Sequence, residues 1–203
     1  APSPKNDKPP VKAVVIACNT ATAYGLEYIR SAFREWDIPV YLVGVVEAGA
    51  KGALESEQSA AAAAGDKSAS GRKSAIAVMA TVGTCRSEGY VRAAEKVFRE
   101  AGGKPPRIIQ QGCHGLASAV EGDAAYILPP GARPSTDYRG PAAGNADAPL
   151  ETALIPQYSF EPQGIIGDMN DPASWKLNSV ENYIRYHVAT LVENHRRSGS
   201  REP

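Results

Sequence analysis

The stretch KAVVIACNTATA, residues 12–23, decides the fold. Its first six residues form an almost unbroken apolar run rich in β-branched residues, which is typical of a strand buried on both faces. Cys18, Asn19 and Thr20 then end the run. Apolar residues recur at about the helical period from there to Arg34. The stretch therefore predicts a strand, a tight turn and a helix.

The same alternation continues along the first part of the chain. Strand-like runs are predicted at residues 40–46, 75–80 and 107–110, and a helix is predicted from Ser87 to Ala101. Strands that alternate with helices indicate parallel βαβ units. We therefore expect an α/β fold with one layered parallel sheet.

Composition divides the chain into four segments. Residues 1–10 are a Pro-rich linker or disordered start, and 11–125 form the α/β domain; within it, Glu55–Ser74 reads as an alanine-extended helix followed by a flexible loop. Residues 126–171 are a Pro/Gly-rich segment that we interpret as a surface insertion. Residues 172–203 hold a last helix, which Ser179 is expected to cap.

Charge and cysteine content exclude several classes of protein. The chain has 203 residues, with 22 basic against 22 acidic side chains, so nucleic acid and anionic membranes are disfavoured as partners. No apolar run has the length of a membrane span. Three cysteines, an odd number, favour reduced thiols in a cytoplasmic protein. The sequence leaves the oligomeric state open, with a homodimer as one option.

Cys18 is the strongest candidate for chemistry. It follows a buried strand and precedes a helix, at the sheet edge where open α/β proteins bind their ligands. The N–H groups at a helix start favour a thiolate, and together with Asn19 and Thr20 they can hold a carboxylate. The alternative is a structural cysteine beside an ordinary helix cap.

A second polar turn, Thr81 to Ser87, also joins a strand to a helix. Thr84 and Ser87 are either ligand contacts or simple caps. Cys113 precedes His114, but adjacent residues rarely form a nucleophile and base pair because they point in different directions. The cysteines and histidines lack metal-site spacing, so we expect no metal, and no Walker-type or GxGxxG turn is present.

Four motifs in order resemble the glutamate racemase family of the aspartate/glutamate racemase superfamily. VIACNTATA, residues 15–23, is similar to the first catalytic-cysteine motif, and GVVEAGAKGA, residues 44–53, to a GVxEPGA segment. AVMATVGTCRSEGY, residues 77–90, resembles VIATxGTxxSxxY, and QGCHGLASAVEGD, residues 111–123, is a looser relative of ACPxxVxxVE. The resemblance covers Val11 to about Gly122.

The resemblance implies a flavodoxin-like three-layer domain and the interconversion of L- and D-glutamate, which supplies D-glutamate for peptidoglycan. Cys18 would be one of two cysteines that exchange the α-proton, one base on each face of the stereocentre. Asn19 and Thr20 would hold the substrate, and Thr81 and Thr84 would lie near it. No cofactor is implied, because fixed dipoles stabilise the carbanion.

The chain departs from the family pattern at both ends. An Asp-Ser-Gly loop is not found before Val11, and a Gly-Cys-Thr-His motif does not follow the last helix. We therefore expect an internal fragment that carries only the first catalytic cysteine and racemises glutamate little or not at all. The alternatives are an aspartate racemase, or a degenerate module that binds a dicarboxylate or a protein without catalysis.

Overall fold

The computed structural model describes residues 9–63, 75–129 and 137–199. The strands of this part are β1 (Ala13–Ile16), β2 (Tyr41–Gly44), β3 (Ala75–Ala80), β4 (Arg107–Gly112), β5 (Ile165–Ile166) and β6 (Lys176–Leu177). Its α-helices are α1 (Asn19–Glu35), α2 (Val45–Ala63), α3 (Val82–Arg86), α4 (Gly89–Glu100), α5 (Leu116–Val120), α6 (Leu154–Gln157) and α7 (Val180–Gly199). None of these helices has an apolar stretch suited to crossing a bilayer.

The chain divides into two compact units. Unit 1 holds the described residues up to 63 together with 87–106, and unit 2 holds residues 75–86 together with the described residues from 107 onward. The mixed helix and strand content agrees with the predicted α/β class. The flavodoxin-like racemase domain and the four-segment division remain predictions.

The described strands form one parallel pair in each unit and a short antiparallel pair in unit 2. In unit 1, β1 pairs in parallel with β2, from Ala13 opposite Tyr41 to Ile16 opposite Gly44. In unit 2, β3 pairs in parallel with β4 over six residues, while β5 and β6 form a short antiparallel pair. The parallel pairing within each unit is as predicted, and the single layered sheet remains a prediction. An apolar run specifies a strand without specifying its partner.

In unit 1, α1 and α2 pack against β2, and α4 packs against both of these helices. Helix α1 contacts α2 and α4, and Leu26 of α1 is buried. A Cβ placed on Gly44 would lie 2.6 Å from Thr22 Cγ2 and 2.9 Å from Leu26 Cδ2. Glycine at this position therefore lets the strand end approach α1 closely.

Helix α2 includes the end of a predicted strand and all of a predicted helix. The strand predicted over 40–46 ends at Gly44, and Val45 already belongs to the helix. The helix predicted at the start of Glu55–Ser74 is the second half of α2, which ends at Ala63. The loop predicted after it lies outside the described residues.

The core of unit 2 includes the Pro/Gly-rich segment that we expected at the surface. Leu150, Phe160 and Ile165 of this segment are buried against Leu177 and Tyr183. The expected surface position is therefore wrong for its apolar residues. They lie between prolines and glycines with neither helical nor strand periodicity, so the pattern did not reveal their burial.

Two asparagines hold this segment through main-chain groups. Asn178 accepts from Leu128 N at 2.6 Å and donates to Leu128 O at 3.3 Å. Asn182 accepts from Glu161 N and donates to Glu161 O, both at 2.8 Å. These side-chain amides give the main-chain groups of Leu128 and Glu161 the hydrogen bonds that a β-sheet would otherwise provide. The irregular segment can therefore be buried.

Helix α7 begins as predicted, and its buried face includes a polar residue. Asn182 N donates to Ser179 Oγ at 3.1 Å, so Ser179 caps the helix. Tyr183 and His187 are buried, but the apolar side chains of Ile184 and Val188 are exposed. Polar Asn182 is fully buried instead, because it holds Glu161.

His187 makes the stability of the fold depend on pH. It is 1% exposed, its Nε2 pairs with His114 O at 3.1 Å, and burial lowers its pKa from 6.5 to about 4. The unfolded state therefore binds the proton first. We expect up to about 3 kcal/mol of stability, present above about pH 6.5, to be lost as pH falls towards 4.

Urea unfolding across this pH range checks the prediction. His187→Gln should flatten the pH dependence of the free energy of unfolding, because the titrating group is gone. His195→Gln, at an exposed position of the same helix, should keep the wild-type dependence. Parallel pH profiles for wild type and His187→Gln would contradict the assignment.

Candidate functional site

Cys18 lies at the start of α1, directly beyond the carboxyl end of β1. It is exposed and takes the N-cap position with an extended backbone, φ −85° and ψ 122°. Its Sγ accepts from Ala21 N at 3.5 Å, and its carbonyl accepts from Thr22 N at 2.9 Å. The predicted strand, turn and helix are confirmed, but β1 is not buried on both faces as expected, because Val14 and Val15 are exposed. The Cys18 thiol is open to solvent at a helix N-terminus, where negative charge is favoured.

Asn19 is oriented by a residue that is distant in sequence. Tyr90 of α4 donates its hydroxyl to Asn19 Oδ1 at 2.9 Å. Burial raises the pKa of Tyr90, which keeps this hydroxyl a neutral donor. The bond uses the amide oxygen of Asn19 as its acceptor and so fixes the orientation of the side chain. Thr20, the next residue of α1, is exposed.

Tyr90 was not among the predicted site residues. The third motif ends at Tyr90, so the sequence did point to this residue. Tyr90 also lies among the apolar residues of its helix, however, and that pattern predicts a position in the core. Two glycines allow the close packing that places Tyr90 beside Asn19. A Cβ on Gly89 would lie 3.1 Å from Ala23 Cβ, and one on Gly49 would lie 3.3 Å from Tyr90 Cε1.

We expect Tyr90→Phe to lower the free energy of unfolding by about 1 kcal/mol, the usual contribution of one hydrogen bond. Asn19 would then lose its fixed orientation. Urea unfolding measures the first effect. Tyr28→Phe, at a largely exposed position of α1, is the matched control and should leave stability unchanged. Equal losses in the two variants would contradict a specific role for the Tyr90 hydroxyl.

Thr81 and Thr84 form a cap at the carboxyl end of β3 in unit 2. Thr81 Oγ1 accepts from Thr84 N at 3.2 Å and lies 3.0 Å from Thr84 Oγ1. Thr84 is fully buried, whereas Thr81 is exposed. Of the two hydroxyls, that of Thr81 is therefore the one accessible to a ligand, and Thr84 supports it.

The other two cysteines lie together beside the same turn and are poor bases. The Cys85 thiol donates to Ala80 O at 3.9 Å, and burial raises its pKa. Cys113 is buried and donates to Gln111 O at 3.6 Å. Burial, with the charge of Cys85, raises the pKa of Cys113 to about 11. Both are therefore protonated at neutral pH.

His114 does not act as the base for Cys113. Its carbonyl accepts from His187, and its ring lies against Tyr126, with centroids 6.1 Å apart. The Cys113 hydrogen bond goes to a backbone carbonyl instead. Among the described residues, no three His, Cys, Asp or Glu side chains are placed to hold a metal ion.

The predicted site residues thus form two groups, one in each unit. Cys18, Asn19 and Thr20 share the first turn of α1, and Thr81 and Thr84 share the turn between β3 and α3. Each group lies at the carboxyl end of a parallel strand. In α/β proteins, ligands frequently bind at that end of the strands. Their roles with a substrate remain predictions.

Comparison with known proteins finds similarity over about half of the chain. No family model matches it. Glutamate racemase of Limosilactobacillus fermentum is 32% identical over 117 residues, which are 55% of this chain and 37% of that protein. Glutamate racemase of Pseudomonas syringae pv. tomato is 30% identical over 110 residues, 54% of this chain and 31% of that protein.

A third relative, glutamate racemase 1 of Caldanaerobacter subterraneus, is 33% identical over 114 residues, 56% of this chain and 33% of that protein. The chain thus spans about a third of the length of the curated relatives it matches. Its similarity to glutamate racemases is modest in identity and partial in coverage.

Proposed function

We propose that this chain carries part of a glutamate racemase site, with Cys18 as the group that exchanges the Cα proton of glutamate. The observation that carries the proposal is the exposed Cys18 thiol at the start of α1, beside an Asn19 amide oriented by Tyr90. The names of the relatives support the substrate. No cofactor enters the proposed reaction.

The proposed step is a proton transfer at the substrate Cα. The thiolate of Cys18 takes the Cα proton and becomes a thiol, while the electron pair of the C–H bond passes to Cα and its carboxylate. N–H groups in the first turn of α1 offer hydrogen bonds to the carboxylate as its charge grows. The NH2 group of Asn19 and the hydroxyl of Thr20 add to this binding.

Inversion needs a second acid on the opposite face of Cα. We propose that neither Cys85 nor Cys113 supplies it, because burial raises the pKa of both thiols and so makes each a weaker proton donor. We therefore propose that the chain exchanges the proton on one face and does not invert glutamate at enzymatic rates. Thr81 is proposed to contact the substrate, with Thr84 in support.

Glutamate is preferred to aspartate as the substrate because the relatives reported above are glutamate racemases. We propose that the whole protein is an amino-acid racemase, an isomerase that supplies D-glutamate to peptidoglycan in the cytoplasm. The absence of nucleic-acid and membrane partners, and the homodimer, remain predictions. A degenerate binding module is the less favoured alternative.

Alkylation of the thiols tests substrate binding at Cys18. Iodoacetamide should label the exposed Cys18 before the buried Cys113. Glutamate should slow labelling of Cys18, and aspartate should slow it less. Labelling of the buried Cys113 in the same sample is the internal control and should not respond. If glutamate fails to protect Cys18, or protects Cys113 equally, the proposed site is wrong.

A further inference from the structure

We propose that unit 2 carries a separate binding site for a small organic anion, a compound with a phosphate or carboxylate group. The site is a cavity of about 680 Å³, a size that is common for small-molecule pockets. Its chemistry comes from six lining residues: His114, Tyr126, Tyr138, Arg139, Asp147 and Lys176. This inference does not depend on the proposed function.

Two uncompensated cations face this cavity. Within the described part of the chain, neither the Arg139 guanidinium nor the Lys176 ammonium forms an ion pair with a carboxylate. Asp147 also lines the cavity, so the two cations and one carboxylate there carry a net charge of +1. Two cations at one concave site favour an anion.

Lys176 is held in place from both sides. It lies on β6, opposite Ile166 of β5, and also bridges to Ala142. Its Nζ lies 5.3 Å from the centroid of the Tyr138 ring. Tyr138 is itself anchored, because its hydroxyl donates to Leu177 O at 2.5 Å. The Lys176 side chain therefore loses little further conformational entropy when an anion binds.

Arg139 lies on a backbone that is fixed in the same way. Its N–H donates to Ala125 O at 2.8 Å, and its carbonyl accepts from Asn145 Nδ2 at 2.9 Å. The same Asn145 amide also donates to Gly140 O at 2.8 Å. The loop position is set before any ligand arrives, while the guanidinium itself remains exposed.

Aromatic side chains supply a surface for the organic part of the ligand. The rings of His114 and Tyr126 are tilted by 56° to one another, and the Tyr138 ring lines the same cavity. Such walls favour a ligand with a planar or apolar body over a bare inorganic ion. Thr81 and Thr84 do not line this cavity, so it is distinct from the candidate site in unit 2.

Calorimetric titration of the full chain with three probes tests the proposal. The probes are inorganic phosphate, citrate and adenosine monophosphate. We expect saturable binding of at least one organic probe below about 10 mM, weakening as salt is added. Tighter binding of citrate identifies a carboxylate ligand, and tighter binding of the nucleotide identifies a phosphate ligand.

Charge variants identify the site. Lys176→Gln and Arg139→Gln should each weaken binding about tenfold, as loss of a charged hydrogen bond does. Asp147→Asn should tighten binding about threefold by removing a like charge, a gain that unfolding cannot mimic. Lys104→Gln, an exposed lysine of unit 1, is the control and should bind as the wild type does.

Three results would overturn the proposal. One is that none of the probes binds saturably at about 10 mM. Another is that only inorganic phosphate binds and the affinity is the same in all variants. The last is that Asp147→Asn leaves the affinity unchanged while Lys104→Gln weakens it as much as Lys176→Gln does.

Discussion

Cys18→Ser abolishes exchange of the glutamate Cα proton with solvent, lowering the rate at least about 100-fold, the usual contribution of a general base. A serine hydroxyl at neutral pH is far less ionised than a thiol and cannot take the proton. The hydroxyl can still accept from Ala21 N, as the sulfur does at 3.5 Å. The variant therefore keeps its helix cap, and the loss reports on chemistry.

The measurement follows the Cα proton signal of glutamate by NMR in deuterated water. Cys85→Ser is the matched control, because burial raises the pKa of the Cys85 thiol and excludes it as a base. It should exchange at the wild-type rate. Exchange that persists in Cys18→Ser, or that is lost equally in Cys85→Ser, would remove Cys18 from the mechanism.

Gly140→Ala should cause the largest loss of stability in unit 2. A Cβ at this position would collide with the hydroxyls of both Tyr183 and Tyr138. These hydroxyls lie 3.2 Å apart, and they donate to Tyr126 O at 2.8 Å and Leu177 O at 2.5 Å. The methyl group must displace this buried network, so we expect a loss of about 3 kcal/mol.

Urea unfolding followed by Trp175 fluorescence, in a Trp36→Phe background, measures this loss. Gly144→Ala is the control, because nothing lies within 4 Å of a Cβ placed there. It should change the free energy of unfolding by less than about 0.5 kcal/mol. Similar unfolding midpoints for the two variants would show that the space beside Gly140 opens easily.

Local signals in the sequence predicted the local structure well. The change from apolar residues to Cys18-Asn19-Thr20 marks the start of α1, and the run of residues 75–80 matches β3. Ser179 caps α7 as predicted. Each of these depends on neighbours within a few residues, where strand propensity and capping act.

Features that depend on distant partners were missed. The choice of strand partner within each unit is decided by packing, which an apolar run does not encode. The Pro/Gly-rich segment is buried because Asn178 and Asn182 hold its backbone from another element. Tyr90 reaches Asn19 across 71 residues of sequence. None of these contacts leaves a periodic pattern.

The most direct test of the central claim is exchange measured separately on L-glutamate and D-glutamate in deuterated water. Deuterium at Cα is read by NMR, and the enantiomers are separated by chiral chromatography. We predict that one enantiomer gains deuterium at Cα while the other is not formed, because Cys18 serves one face only. Deuterium in neither enantiomer above the buffer rate, or interconversion as fast as exchange, would contradict the account.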